Sequence, residues 1–139
     1  RYRTGDLSAW IPGPCPCGAR SLVRFDAVRK RRESIVTIGA GEEIYPTLFD
    51  DILYALPGVL DYQVEVTRDG ERLRLDFRID LLPGPEDAAH AIAARLHRHP
   101  LIERNVRRGG MEPPHVDILP PGALKTADRA KKLVTDRRP

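Results

Sequence analysis

The reactive side chains of this sequence fall into four short stretches. The first is RYRTGDL, which puts Asp6 in a Thr-Gly-Asp turn just ahead of a hydrophobic residue. A carboxylate only accepts hydrogen bonds, and an aspartate there also serves as an ordinary turn residue. The second stretch, GPCPCG, holds Cys15 and Cys17, the only two cysteines in the chain. Thiolates one residue apart can both reach one tetrahedral zinc, but a structural zinc takes four ligands. The spacing of His90, His97, His99 and His115 matches no zinc pattern. The two cysteines equally read as free thiols in a proline-rich loop. The third stretch, GAGEE, contains Gly39, Ala40 and Gly41. Such a turn lets another group approach the backbone closely, because glycine has no Cβ. It lacks the Lys-Ser/Thr ending of a phosphate-binding loop. The fourth, KTADRAKKLVTDRRP, gathers Lys125, Arg129, Lys131 and Lys132 in a basic tail.

The elements that must position these groups follow from composition and periodicity. A chain of 139 residues, 41% hydrophobic and 31% charged, suffices for one soluble domain with one core. A net charge of +3 permits phosphate binding without demanding it. No apolar run approaches the ~20 residues of a membrane span, and no signal peptide opens the chain. Two cysteines are too few for a secreted disulfide scaffold, so the default compartment is the reducing cytoplasm.

The first thirty residues read as a short strand and turn, the Pro/Gly/Cys loop, an imperfect strand at SLVRFDAV and a charged connector. SIVTIGAG reads as a strand running into a glycine turn. PTLFDDILYAL places Leu48, Phe49, Ile52, Leu53 and Leu56 on one helical stripe, stopped by Pro57-Gly58. YQVEVTRDGERLRLDFRIDL alternates apolar and polar residues on both sides of Asp69-Gly70, the pattern of a hairpin with one dry and one wet face. PEDAAHAIAARLHRH predicts a second helix with Ala89, Ile92 and Leu96 inward, ended by Pro100. HVDIL is a last short strand. The order predicts an α+β fold of ferredoxin-like β-α-β-β-α-β type behind a leading strand and loop segment.

Four of these stretches resemble the adenylate-forming ligases, in particular their phenylacetate–CoA ligase-like branch. YRTGD resembles the turn near the end of that family's large domain, and CPCG its Cys-x-Cys loop. RRESIVTIGAGEEIYPTLFDDIL resembles the hinge, glycine turn and first helix of its small C-terminal lid, and PGVLDYQVEVTRDG the lid's first hairpin strand. The resemblance implies that residues 1–31 are the end of a large adenylation domain and 32–139 a C-terminal lid, with the rest of the large domain as its partner. It implies ATP with Mg and CoA as co-substrates, and a small carboxylic acid as the group activated. Asp6 and Arg32 would hold the ribose. Gly39, Ala40 and Gly41 would line the CoA channel. Arg129, at the family's lysine position, and Lys131 would serve adenylation. Cys15 and Cys17 would supply half a zinc site in the parent enzyme, with no metal in this stretch alone. Departures from the family pattern are Ala40 where many relatives carry arginine, Ser34 for an aspartate, and Arg129 for the lysine.

Two readings from other classes stand beside this one. The first is a free-standing ferredoxin-like module for small ligands or RNA. Against RNA, the aromatic signature of RNA-binding sheets is absent, and Arg72, Arg74 and Arg78 share their strand face with Asp76 and Asp80. The second is the lid of a degenerate adenylating enzyme that does not use CoA. Neither nucleic acid nor membrane is expected as a partner, and an exposed strand edge leaves room for a homodimer.

Overall fold

The computed structural model describes residues 4–124 and 134–139. Its leading part is a ladder of two-residue strands. β1 (Asp6–Leu7) pairs antiparallel with β4 (Lys30–Arg31), and β2 (Trp10–Ile11) with β3 (Arg24–Phe25). No described residue before Val36 belongs to the hydrophobic core. Trp10, Leu22 and Phe25 are 61%, 74% and 63% exposed. SLVRFDAV therefore forms a strand at only two of its eight positions, and its apolar side chains face outward.

A short 3-10 turn at Arg32–Ser34 joins this ladder to the α+β unit. The unit begins with a second small hairpin, β5 (Val36–Thr37) against β6 (Glu43–Ile44), with the glycine turn Gly39–Gly41 between them. Gly41 has φ +76°, a left-handed conformation that favours glycine. α1 (Thr47–Leu53) follows. Its stripe lies as predicted: Phe49 and Leu53 are fully buried, with Leu48, Ile52 and Leu56 packed on the core.

The central hairpin is β7 (Val59–Asp69) and β8 (Arg72–Leu81). Tyr62 pairs with Ile79, Val64 with Phe77 and Val66 with Leu75, and all six are buried. Asp69 and Arg72 close a two-residue loop whose Gly70 has φ +59°. The Phe49 and Phe77 rings meet edge to face at 5.0 Å, joining helix to sheet. The chain then runs through α2 (Ala88–His97) and α3 (Pro100–Arg107) to β9 (His115–Leu119). β9 lies parallel to β8, and β10 (Val134–Asp136) lies parallel to β7.

The fold is thus mixed α+β, with a four-stranded sheet in the order β10-β7-β8-β9. It differs from the expected β-α-β-β-α-β arrangement in three ways. The 35–38 strand pairs with Glu43–Ile44 and is not a member of the large sheet. β10 takes the place beside β7. α2 stops ahead of Pro100 as expected, but a third helix, α3, begins there, with Pro100 in its first turn, where a missing N–H costs nothing. Asp80, expected on the wet face of its strand, is only 1% exposed. The loop after β9 covers it: Asp80 accepts from the Gly122 N–H at 3.1 Å and from the Leu124 N–H at 3.2 Å.

Candidate functional site

Asp6 and the connector before the α+β unit are brought together by the β1–β4 pairing. The register sets Asp6 opposite Arg31, and Arg31 Nε lies 2.9 Å from Asp6 Oδ1. The Arg32 N–H donates to the Gly5 carbonyl at 3.0 Å. Gly5 takes φ +74°, and a Cβ there would approach the Glu33 side chain. The Thr4–Asp6 turn and the Arg31–Glu33 step therefore form one small surface. A carboxylate has about four acceptor sites, so pairing with Arg31 orients Asp6 without exhausting it. Arg31 meets Asp6 through its side chain, and Arg32 reaches the turn through its backbone N–H.

This surface is tied to the α+β unit by Lys30. Lys30 Nζ lies 2.7 Å from Glu43 Oε2 and 4.8 Å from the centre of the Tyr45 ring. The Glu43 carboxylate holds the Lys30 ammonium above its usual pKa. The glycine turn has its own anchor. The residue that follows it, Glu42, reaches α3: Arg104 Nε donates to Oε1 at 2.9 Å and Asn105 Nδ2 to Oε2 at 2.5 Å. Hydrogen bonds from Asn105 and Arg104 hold the Glu42 carboxyl below its usual range.

Cys15 and Cys17 are free thiols whose sulfurs stand 2.9 Å apart across a turn closed by Gly18 N–H to Cys15 O. The Cys17 thiol is acidified, first by its hydrogen bond with Cys15 and then by a backbone hydrogen bond at Ala19. Two soft donors converging from one turn suit zinc. Two sulfurs each about 2.3 Å from a tetrahedral zinc stand about 3.8 Å apart, so the pair would open slightly on binding. Among the described residues, no group of three or more His, Cys, Asp or Glu is placed to complete such a site. His90, His97 and His115 are not drawn to the pair. His99 caps α3, its Nδ1 accepting from the Leu101 N–H at 3.3 Å. Burial, and then Arg104, lower its pKa.

Arg129 and Lys131 lie outside the described residues. The predicted residues thus form three separate groups: Asp6 with Arg31–Arg32, the glycine turn on α3, and the cysteine pair. Sequence reasoning missed Lys30, Glu42, Arg104 and Asn105. Only Glu42 carried a signal, as an acid directly behind a glycine turn; its partners are 62 and 63 positions away. No helix among the described residues is long and apolar enough to cross a membrane.

No family model and no curated protein matches the chain. Solved structures do. 2-Hydroxyisobutyryl-CoA ligase in the postadenylation state, in complex with 2-HIB-AMP, is similar at 27% identity and a TM-score of 0.55, over 96% of this chain and 28% of that one. The same ligase in the postadenylation state with R3-HIB-AMP gives 26% identity and a TM-score of 0.52 over the same shares. A domain of phenylacetate-coenzyme A ligase from Bacteroides vulgatus is similar at 22% identity and a TM-score of 0.48, over 77% of this chain and 95% of that domain. The mixed α+β unit and its leading ladder are an adenylate-forming CoA ligase-like domain. The chain spans 28% of the length of the 2-hydroxyisobutyryl-CoA ligase that it matches.

Proposed function

We propose that this chain is the C-terminal lid, with its lead-in, of an ATP-dependent acyl- or aryl-CoA ligase of the phenylacetate–CoA ligase-like branch. The supporting observation is the similarity that runs through 96% of the chain to a CoA ligase carrying an acyl-adenylate. In this reading residues 1–31 end a large adenylation domain and 32–139 form the lid, in a cytoplasmic enzyme.

The chemistry runs in two steps. A carboxylate oxygen attacks the α-phosphorus of ATP, supplied with Mg, and pyrophosphate leaves. The CoA thiol, losing its proton, then attacks the carbonyl of the acyl-adenylate and AMP leaves. Asp6 accepts from the ribose hydroxyls, oriented by Arg31 and with Arg32 beside it. Gly39, Ala40 and Gly41 line the path of the pantetheine thiol, with no Cβ at the two glycines. Arg129 and Lys131 supply positive charge to phosphate oxygens in the first step. Arginine there keeps the charge but not the geometry of a lysine. Cys15 and Cys17 contribute two thiolates toward a zinc whose other ligands lie in the large domain. A bound zinc would fix this loop rather than take part in either step.

The test is pyrophosphate exchange and acyl-CoA formation by the full-length protein over a panel of small acids. Lys131→Ala and Arg129→Lys are compared with the unaltered protein. Loss of exchange of about 10²-fold in Lys131→Ala, with acyl-CoA formation from preformed adenylate retained, is the expected result. Absence of both activities over the whole panel refutes the reading. This chain alone forms no acyl-CoA; detecting that activity in it would refute the domain assignment.

A further inference from the structure

We infer that Asn105 and Glu42 are positioning residues that set where the Gly39–Gly41 turn lies, and through it the thioester-forming step. The inference rests on the proposed role of that turn in the CoA channel.

The base of the turn is closed by Ile38 N–H to Glu42 O at 2.7 Å, but the two hydrogen bonds inside it, Gly41 N–H to Ile38 O at 3.2 Å and Glu42 N–H to Gly39 O at 3.3 Å, are long. The flanking hairpin offers only two paired residues on each side. Side chains from elsewhere in the fold add the remaining supports. On one flank, Arg138 donates to the Thr37 carbonyl at 2.9 Å and is itself held by Asp136. On the other, the Glu42 side chain is gripped by α3. Asn105 is 7% exposed and divides its amide donors between Glu42 Oε2 and, at 2.8 Å, the Leu101 carbonyl. A Cβ built on Gly39 would lie 3.8 Å from Asn105 Oδ1, so the first glycine rests directly over this side chain. Arg104 supplies the second donor to Glu42. A buried amide and a charge-assisted acceptor satisfy each other, so removing either leaves the other one hydrogen bond short. Neither residue needs to touch substrate. Both determine whether the bare backbone of Gly39 and Gly41 stays in register with α3.

The test has two arms. In this chain, amide hydrogen exchange at Gly41 and Glu42 is compared for the unaltered protein, Asn105→Ala, Glu42→Ala and Glu42→Gln. Exchange in the two alanine variants should quicken about tenfold, with Glu42→Gln between them and the unaltered rate because one of the two acceptor oxygens remains. Asn105 is buried and its removal can disturb α3, so Glu42→Ala carries the same test from the more exposed side. In the full-length protein, the alanine variants should raise KM for CoA about tenfold and leave pyrophosphate exchange unchanged, with Glu42→Gln again between them and the unaltered value. Unchanged amide exchange in Glu42→Ala overturns the inference, as does an equal fall in both half-reactions. Faster exchange with an unchanged KM for CoA shows instead that the turn is held as described but lies away from the CoA path, which overturns the reading beneath it.

Discussion

At the scale of single residues, the two cysteines and His99 make claims that can be checked without any ligand. Cys17 is exposed, and its thiol is acidified chiefly by the hydrogen bond with Cys15. The thiolate is the nucleophile, so Cys17 should react with iodoacetamide at pH 7 faster than Cys15 does. It should react more slowly in Cys15→Ala than in the unaltered chain; peptide mass spectrometry over a time course reads both. The pair touches none of the core, so Cys15→Ser should move the melting temperature by no more than about 3 °C. A large fall would give the loop a structural role in this chain by itself. His99 works in the opposite direction. Its Nδ1 accepts from the first turn of α3, which requires the ring to be neutral there, and burial lowers its pKa in the folded state. A lowered folded pKa means the unfolded chain binds the proton more readily. This contribution to stability is therefore complete above the ordinary histidine range near 6.5 and is lost as pH falls below it. Replacing His99 with Asn keeps a capping acceptor that does not titrate. The melting temperature of His99→Asn should fall less between pH 7.5 and 5 than that of the unaltered chain, measured by circular dichroism.

At the scale of elements, the most informative junction is the end of β8. Asp80 is buried and takes two backbone N–H groups from the loop that follows β9, fixing how the chain leaves the sheet toward residues 125–133. Asp80→Ala would leave both donors buried without an acceptor. The cost should be about 2–4 kcal/mol in urea unfolding, and Asp80→Asn, which keeps one carbonyl oxygen, should cost distinctly less. Equal costs for the two would show that the carboxylate does not hold this loop. The alternation that revealed the β7–β8 hairpin also misplaced Asp80. Periodicity reports which side of a strand a residue takes, and not what later covers that side. The hairpin and α1 were legible because their patterns are local: ten alternating positions, and a stripe closed by Pro57-Gly58. α3 was not, because Pro100 reads as a stop until His99 is seen capping a new helix, and because buried Asn105 interrupts its apolar face. The membership of the large sheet was hidden for a different reason: β5 and β10 are two and three residues long, too short to state their partners. The candidate site shares that difficulty. Asp6 meets Arg31 through a two-residue ladder across 25 positions, and Glu42 meets Asn105 across 63; neither distance leaves a trace in composition.

At the scale of the whole molecule, the chain is two physically unequal parts. Among the described residues every core residue comes from Val36 onward, while the leading ladder exposes Leu7, Trp10, Leu22, Val23, Phe25 and Val28. So many large apolar side chains on so short a segment form the kind of exposed patch that marks an interaction surface, which the large adenylation domain of the proposed enzyme would cover. The division has a direct thermodynamic consequence. The only tryptophan, Trp10, sits in the part without a core, against Phe25 at 5.7 Å. Its fluorescence should therefore be that of a largely solvated indole, readily quenched by acrylamide in the folded chain. The main unfolding transition belongs to the sheet and helices, so circular dichroism at 222 nm should report a cooperative change that Trp10 emission barely follows. Coincident transitions by the two probes are the signature of a single cooperative unit. Removing residues 1–28 takes no described residue out of the core and keeps the Lys30–Glu43 ion pair, so the remaining chain should melt within about 5 °C of the full one. Should the truncated chain lose its cooperative transition, or should both probes in the full chain report one midpoint, the ladder would be an integral part of this domain's fold and not the end of a neighbouring one.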